Sequence, residues 1–360
     1  MANRWDDRSE QARFKDRDDG IGGRRLREIA ICIPARNEAA ELPSLFAALE
    51  MLESFGGATV SVCLLLDGCT DSSVALVAAY RERSRHRIKF AQSAPAQPNA
   101  GRARHRAMLL GRHALAEAGG LLLTTDADSA PAVDWLTTMV AALDRADVVT
   151  GRIIRQGHSP CPLQERIEVY YDRLFALRRR LDLVPWEADA THHHTGGANL
   201  GMRAAAYEIA GGFLPLLTGE DARFVDEAAR AGLRVRRDAA CVVRTSDRRQ
   251  GRVAGGLAAT LQRLDHTATS AVSVSHPEDA AWQYAMHAIA RRAFMEDSLE
   301  LAADALGLTG DHVLGVARDA PNAAAFAMRI VPVPPGGMRE VPLPAAEMAL
   351  DRLITARRAA

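Results

Sequence analysis

The chain carries no net charge, because 45 basic and 45 acidic residues cancel over its 360 positions. This balance gives no general attraction to nucleic acid or to an anionic membrane surface, so phosphate binding would have to be local. The sequence also lacks any apolar run near the ~18 to 20 residues that a membrane-spanning helix needs. These absences predict a soluble protein with no transmembrane segment and no nucleic-acid partner.

Cysteine is scarce, and its spacing excludes a C-x-x-C metal motif. The five cysteines are an odd number, and Cys32, Cys63 and Cys241 lie inside apolar runs. This pattern is typical of reduced core cysteines, so we predict a cytoplasmic location. Residues 1–27 mix charges of both signs and have no apolar core. They therefore exclude a signal peptide and predict a disordered arm that takes no part in a functional site.

From Glu28 onward, patterns of buried strands alternate with patterns of amphipathic helices. This alternation predicts an α/β fold with a mixed, mainly parallel sheet and helices on both faces. We expect this domain to span 28–253. A mainly helical extension should follow over 254–360, with a proline-rich connector at 331–344. The extension carries no motif to which chemistry can be attached. It could cover the cleft, form a homodimer contact or pack on the core.

The run Leu121-Leu122-Leu123-Thr124-Thr125-Asp126-Ala127-Asp128 predicts a buried strand with two carboxylates at its tip. In open α/β sheets, ligands bind beyond the carboxyl ends of the strands. Side chains at i and i+2 of an extended segment point the same way, so Asp126 and Asp128 should present hard oxygen donors together. Such donors suit Mg²⁺ or Mn²⁺, although a D-x-D triplet alone is also common in solvated loops.

Two other predicted strands also end in polar residues. Glu38 follows the first strand and Asp67 ends the second, where each could simply cap a helix or form a turn. Three polar strand tips in one sheet favour a nucleotide pocket, in which these carboxylates would accept hydrogen bonds from a ribose or a base.

Several segments together resemble family 2 glycosyltransferases of the GT-A fold, the nucleotide-diphospho-sugar transferase superfamily. The similar segments are IPARNE, LLLDGCTDSS, AGRAR, LLTTDADS, GGANLGMR, AGGF and GEDARFVDEAARAG, and they extend roughly from Glu28 to Arg252. The resemblance implies transfer of a sugar, of the hexosyltransferase type (EC 2.4), from a nucleotide-diphosphate donor to an acceptor. It also implies a requirement for Mg²⁺ or Mn²⁺.

The same resemblance implies roles for individual residues. Glu38 and Asp67 would hold the nucleoside, Asp128 with Asp126 the metal and its diphosphate, and Asp221 of the Glu220-Asp221 pair would be the catalytic base. We also assign Pro34, Arg36 and Arg104 to the donor site. Three positions depart from the usual pattern, which leaves the base of the nucleotide open: Arg36 replaces tyrosine, Leu66 an acid and His105 an asparagine.

The glycine-bearing basic loop after the strand at Ala239 to Val243 contains Arg248 and Arg252. These arginines could fold over a diphosphate, or form an ordinary solvated turn. The segment 191–199, THHHTGGAN, is denser in functional groups than a surface loop needs. A histidine there could ligate the metal, bind an acceptor hydroxyl or do neither. In the resembled family this region lies on the acceptor side, so we assign His194, Gly197 and Asn199 to the acceptor.

Glu220 and Asp221 should lie in the first turn of a helix that ends at Gly232, either as a plain cap or as reactive groups. Consecutive helix positions are rotated by ~100°, so only one of the two can face the cleft. The resemblance gives that position to Asp221 and favours an inverting reaction.

Other classes of protein remain as alternatives. A nucleotidyltransferase would need a basic, glycine-rich loop after the first strand, but PARNEAAELP has no glycine. A phosphohydrolase would need its Asp-x-Asp pair on the first strand. A non-catalytic nucleotide-sugar-binding protein would be expected to lack the acidic pairs, and both are present.

Overall fold

A computed structural model describes residues 28–94, 97–116, 119–157, 160–251 and 255–359. The predicted arm over 1–27 and the donor-site candidate Arg252 lie outside these ranges. No helix among the described residues is long and apolar enough to cross a membrane. The cytoplasmic location, the domain boundaries and the homodimer contact stay predictions.

The first half of the chain alternates strands and helices as its periodicity predicts. The periodicity from Ala39 to Glu53 predicts a helix over this range, but the helix begins only at Leu42 because a loop follows β1, and it ends at Glu50. The elements are β1 (Glu28–Ala35), α1 (Leu42–Glu50), β2 (Thr59–Asp67), α2 (Ser73–Arg81), β3 (Arg87–Ser93), α3 (Ala100–Arg112) and β4 (Leu121–Thr124).

The following segment completes the sheet. Its short strands β5 and β7 are not predicted from the sequence, because three or four residues show too few alternations. The elements are β5 (Ser129–Pro131), α4 (Trp135–Leu143), β6 (Val148–Gln156), α5 (Pro162–Leu181), a 3₁₀ turn (Gly197–Asn199), β7 (Leu200–Arg203), α6 (Ala204–Ile209), α7 (Glu220–Arg230) and β8 (Val235–Ser246).

The C-terminal part is mainly helical, as predicted. The helical periodicity from Asp279 to Leu306 predicts one helix, but the structure has two, separated where Asp297 has a φ of 52°. Helices α11 and α12 are not predicted from the sequence. The elements are α8 (Leu257–Leu264), β9 (Ser273–Ser275), α9 (Pro277–Met295), α10 (Leu299–Leu306), α11 (Gly310–Asp319), α12 (Ala323–Ile330), β10 (Glu340–Pro342) and α13 (Leu343–Ala359).

Eight of the described strands form one mixed sheet in the order β3-β2-β1-β4-β7-β6-β8-β5. Strands β1 to β4 are parallel, and β7 is antiparallel to both β4 and β6. Strand β8 is parallel to β6, and β5 is antiparallel to β8. The carboxyl ends of β1, β2, β4 and β8 therefore meet at one edge, where the sequence predicts a ligand site.

Alternate residues of the central strands pack into two separate cores, one on each face of the sheet. In β1, Ile31 belongs to the core beneath α1, α2 and α4, whereas Cys32 belongs to the core beneath α3, α6 and α7. In β4, Leu123 and Leu122 divide in the same way. This period of two explains the continuous apolar runs of these strands, since both faces are covered by helices.

The C-terminal helices have apolar cores of their own. One joins α5 to α8, the start of α9 and α13, and the other joins the end of α9 to α10, α11 and α12. The three consecutive arginines at 178–180 predict a solvated face of α5, and for Arg178 this prediction is wrong. Its side chain is 16% exposed and pairs with Glu187, and its guanidinium lies 4.9 Å from the Phe175 ring centroid. Burial lowers the pKa of Arg178 to about 10.

Helix α3 packs so closely on the sheet that a Cβ on Gly111 would lie 2.3 Å from Cys32 Sγ. We expect Gly111→Ala to lower the free energy of unfolding by ~1–3 kcal/mol through overpacking. Gly315, inside α11, is a matched control because a Cβ there meets nothing within 4 Å. Gly315→Ala should raise stability by up to ~1 kcal/mol, since alanine is the better helix former. Urea unfolding of both variants checks this, and equal effects would contradict the close approach of α3.

Candidate active site

A cavity of about 430 Å³ lies at the carboxyl edge of the sheet. Its wall combines the loop after β1, the end of β2, the turn after β4, the N-terminal part of α3, the end of β8 and the start of α7. The structure brings together here most residues that the sequence assigns to the donor and to catalysis: Pro34, Arg36, Glu38, Asp67, Arg104, Asp126, Asp128, Glu220, Asp221 and Arg248. Their chemical roles stay predictions.

The described wall of this cavity carries an excess of negative charge. Six carboxylates line it, from Glu38, Asp67, Asp126, Asp128, Glu220 and Asp221, against three guanidinium groups, from Arg36, Arg104 and Arg248, for a formal charge of −3. An excess of this kind favours binding of a cation.

The sequence predicts that Asp126 and Asp128 project from an extended strand, but the structure places them beyond its end. Strand β4 ends at Thr124, and the two aspartates lie in a turn closed by a 3.1 Å hydrogen bond from Ser129 N to Asp126 O. Both still line the cavity, with side chains 35% and 16% exposed respectively. The pair is therefore brought to one cavity by a turn rather than by strand periodicity.

Arg104 of α3 is buried at the centre of the site and contacts four different segments. Its Nε donates to Glu220 Oε1 at 3.1 Å and its Nη2 to Asp126 Oδ1 at 2.9 Å. Its Nη1 donates to both Thr124 Oγ1, at 3.2 Å, and Gly197 O, at 3.1 Å. Burial opposes its charge, but the carboxylates around it raise the pKa of Arg104 above the usual value.

These contacts give Arg104 a structural role. All three of its nitrogens donate to the protein, and the residue is only 7% exposed. The guanidinium therefore holds Asp126 and Glu220 in place. Arg104 also lines the cavity, and its direct binding of the donor stays a prediction. A Cβ on Gly197 would lie 2.4 Å from Arg104 Cζ, so glycine is needed for this close approach.

Arg248 forms the second ionic bridge of the site. It binds both oxygens of Glu38, at 2.6 and 2.7 Å, and its Nη2 lies 3.0 Å from Asp128 Oδ2. Burial and the neighbouring Asp126 carboxylate raise the pKa of Asp128, while Arg248 opposes this rise. Arg248 thus partly compensates the repulsion among the acidic residues of the cavity.

Asp67 is 4% exposed and already accepts two hydrogen bonds. Ser93 Oγ donates to its Oδ1 at 2.6 Å, and Arg36 Nη1 lies 3.5 Å from its Oδ2. Arg36 also donates to the backbone oxygen of Asp67 at 3.2 Å. The structure therefore orients Asp67 at the cavity wall through two side chains. The partnership with Ser93 cannot be found from the sequence, since it depends on the register of β2 against β3.

Glu220 and Asp221 open α7 and face different surroundings, as consecutive helix positions require. Glu220 is 4% exposed and pairs with Arg104, and burial raises its pKa although Arg104 opposes the shift. Asp221 is partly exposed and lines the cavity. Its Oδ2 accepts from Gly197 N and its Oδ1 from Ala222 N, both at 2.7 Å. Two backbone donors thus fix the direction of the Asp221 carboxylate.

The three residues assigned to an acceptor are not cavity-lining residues in the described structure. Gly197 bridges Arg104 and Asp221 through its backbone. His194 lies away from the cavity in a cluster with His193 and Glu168. The assignment of Asn199 is corrected: it is fully buried, accepts from Trp135 Nε1 at 2.8 Å and donates to Arg152 O and Cys241 O at 2.9 Å each. Its hydrogen bonds hold the scaffold and leave no donor for an acceptor.

Comparison with known proteins identifies the family. The profile described as glycosyl transferase family 2 matches residues 30–209, half of the chain. The protein therefore belongs to glycosyl transferase family 2 and is a glycosyltransferase. Family membership and the observed sheet together confirm the predicted GT-A fold class. No curated protein sequence matches the chain.

Solved structures with similar folds are distant in sequence. TarS residues 1-349 from S. aureus, in complex with UDP-GlcNAc, is 16% identical with a TM-score of 0.47, and the match covers 84% of this chain and 90% of TarS 1-349. The mannosyltransferase PcManGT from Pyrobaculum calidifontis, with GDP-Man and Mn²⁺, is 16% identical with a TM-score of 0.46. The match covers 85% of this chain and 86% of PcManGT. Glucosyl-3-phosphoglycerate synthase from Mycobacterium tuberculosis, with Mn²⁺, UDP-glucose and phosphoglyceric acid, is 18% identical with a TM-score of 0.42. The match covers 69% of this chain and 84% of the synthase.

The scaffold role of Asn199 can be tested by Asn199→Ala. This change would remove the hydrogen bond from Trp135 Nε1 and those to the Arg152 and Cys241 carbonyl groups, at about 1–3 kcal/mol each where the group is buried. We expect a loss of at least ~3 kcal/mol in the free energy of unfolding. Thr309→Ala is the control, because the one hydrogen bond of this side chain among the described residues is an exposed helix cap bond from His312 N, which is worth ~1 kcal/mol. Equal stability of the two variants would restore Asn199 as an acceptor candidate.

Proposed function

We propose that this glycosyltransferase moves a sugar from a nucleotide-diphosphate donor to a hydroxyl acceptor. In this proposal Asp126 and Asp128 hold a divalent cation, and Asp221 is the base of an inverting transfer. The observation that carries the proposal is the single cavity in which these three carboxylates meet, with a formal charge of −3 on its described wall.

The chemistry of the cavity fits a divalent metal. A diphosphate is negatively charged and would be repelled by this wall unless a cation accompanied it. Carboxylate oxygens from Asp126 and Asp128, completed by phosphate oxygens, are a usual set for Mg²⁺ or Mn²⁺. A bound ion would stabilise negative charge on the departing nucleoside diphosphate as a Lewis acid.

The residues around the metal site have separate tasks in the proposal. Glu38 and Asp67 face the nucleoside as hydrogen-bond acceptors, with Pro34 and Arg36 beside them in the wall. Arg248 now bridges Glu38 and Asp128. Because Arg248 Nη2 lies 3.0 Å from Asp128 Oδ2 and its side chain is 23% exposed, we assign it to the diphosphate, whose charge it would share with the metal.

Asp221 has the geometry expected of a base. Two backbone N–H groups orient its oxygens at the cavity wall, and each oxygen retains a lone pair with which to accept a proton. An acceptor hydroxyl is a weak nucleophile at neutral pH and gains from such a base. Glu220 cannot share this task because its carboxylate is buried against Arg104.

Nucleotidyl transfer is disfavoured by the loop after β1. A triphosphate would need free backbone N–H groups there. Instead, Asn37 N donates to Cys69 Sγ, Glu38 N to Ser73 Oγ and Ala39 N to Asp71 Oδ2. These donors tie the loop to the start of α2, so they are not available to a chain of phosphates.

The metal role of Asp128 is tested by Asp128→Ala. In the unchanged protein, Mn²⁺ together with a nucleoside diphosphate should raise the melting temperature. A screen of nucleotide sugars with Mn²⁺ should show which donor raises the melting temperature of the protein most and is slowly hydrolysed by it. Asp128→Ala should abolish the Mn²⁺-dependent part of this stabilisation while leaving the fold intact. The control is Asp304→Ala, which removes an exposed carboxylate of α10. Undiminished Mn²⁺-dependent binding in Asp128→Ala would overturn the metal assignment.

The base is tested by Asp221→Asn. We expect the rate of transfer to fall by about 10²–10⁴-fold, the usual contribution of a general base, with donor and metal affinities unchanged. Asp226→Asn, on the same helix and paired with Arg230, should keep near-normal transfer. A loss of donor affinity in proportion to rate would assign Asp221 to binding instead. Near-normal transfer by Asp221→Asn would exclude it as the base and point to a retaining reaction.

A further inference from the structure

The three consecutive histidines at 192–194 have different environments. His192 is fully buried, and its Nδ1 accepts the backbone N–H of His194 at 3.0 Å. Its Nε2 must therefore carry the proton, which it donates to Thr150 O at 3.1 Å. Both ring nitrogens of His192 therefore bind backbone groups, and the bond from His194 N fixes the backbone of His194.

His193 is oriented by a carboxylate. Its Nδ1 lies 2.8 Å from Asp172 Oδ1, and its backbone N donates to the same oxygen at 3.1 Å. Asp172 is itself held by Arg152 Nη1 at 2.9 Å from its other oxygen. A histidine that donates through Nδ1 to a carboxylate presents the lone pair of Nε2 outward. This is the arrangement that orients metal-binding histidines in proteins.

Glu168 and His194 complete the cluster. One potential ligand atom from each of Glu168, His193 and His194 lies within 4.8 Å of the others, and all three residues are partly exposed. The rings of His193 and His194 are 4.2 Å apart between centroids. The described donors to Glu168, from Arg155 and Gln164, both go to Oε1. Oε2 therefore has no hydrogen-bond donor among the described residues.

We propose that Glu168, His193 and His194 form a second metal site, for Zn²⁺ or a similar transition-metal ion, with Asp172 as its orienting carboxylate. Two imidazoles and one carboxylate are a known ligand set for Zn²⁺ and leave a fourth position for water. The two sites should also differ in the metal that they prefer. Imidazole nitrogens favour a transition-metal ion, whereas the carboxylate oxygens of Asp126 and Asp128 favour Mg²⁺ or Mn²⁺.

The position of this cluster connects it to the active site without making it part of the cavity. Neither Glu168 nor the two histidines line the described cavity. The segment that carries the histidines continues, three residues after His194, to Gly197, whose backbone N–H donates to Asp221 Oδ2. A metal ion bound by His194 and by Glu168 of α5 would therefore fix the segment that orients the proposed base.

The experiment measures Zn²⁺ binding by equilibrium dialysis and metal analysis on the full chain. Asp126→Asn with Asp128→Asn serves as the background, so that the cavity site does not contribute. This background should still bind a single Zn²⁺ per chain and gain thermal stability from it. Adding Asp172→Asn should weaken binding by ~10–100-fold, the usual effect of losing an orienting carboxylate. Adding His193→Ala with His194→Ala should weaken it at least as much.

His113→Ala is the matched control, since His113 is an exposed histidine at the end of α3, and it should leave Zn²⁺ binding unchanged. Circular dichroism of the metal-free variants reports on folding. If the double histidine variant does not fold, Glu168→Gln decides, because it keeps the shape of the side chain but removes its charge. The proposal is overturned if the background binds no Zn²⁺, or if binding is as tight in the histidine and Glu168→Gln variants as in the control.

Discussion

The site depends on one buried cation. Arg104 is enclosed by α7, the turn after β4 and the segment at Gly197, and it donates to each of them. A guanidinium removed from water is stable only if its charge and its N–H groups are matched, and here Asp126 and Glu220 supply the charge. Removing Arg104 would leave these carboxylates facing one another. The relative position of the proposed metal pair and the proposed base therefore follows from this residue.

Arg104 and Arg248 both pair with carboxylates of the cavity but differ in their exposure to solvent, and this difference suits them to different roles. Arg248 joins Glu38 to Asp128, but its side chain is 23% exposed, compared with 8% for Arg104. The better-exposed guanidinium loses less hydration in forming its contacts and can exchange them for a diphosphate at a lower cost. Arg104 is thus suited to a permanent structural role, whereas Arg248 is suited to a ligand.

Sequence reasoning reached the fold class and the charged residues of the cavity wall because both follow from local patterns. Long apolar strands, their polar tips and the acidic first turn of α7 are each recognisable within a few neighbouring residues. It missed the turn at Asp126 and Asp128 and the short strands β5 and β7, where three or four residues give no period. It did not find the structural contacts of Arg104, and it misassigned Asn199. The contacts of these two residues involve partners such as Glu220 and Trp135, distant in sequence, which only the three-dimensional arrangement brings together.

The division of labour between adjacent residues is the feature that local reasoning anticipated best. Glu220 and Asp221 both line the cavity but differ by one helix position, and this rotation directs Glu220 to Arg104 and Asp221 to the backbone N–H of Gly197. Adjacent residues also have different partners at 192–194. Both ring nitrogens of His192 bind backbone groups, whereas His193 and His194 each have a potential ligand atom near Glu168. Both groups are joined through Gly197, whose N–H holds Asp221 and whose carbonyl group holds Arg104. A side chain at this position would collide with Arg104, so the glycine allows the base, the buried cation and the histidine segment to share one short stretch of backbone.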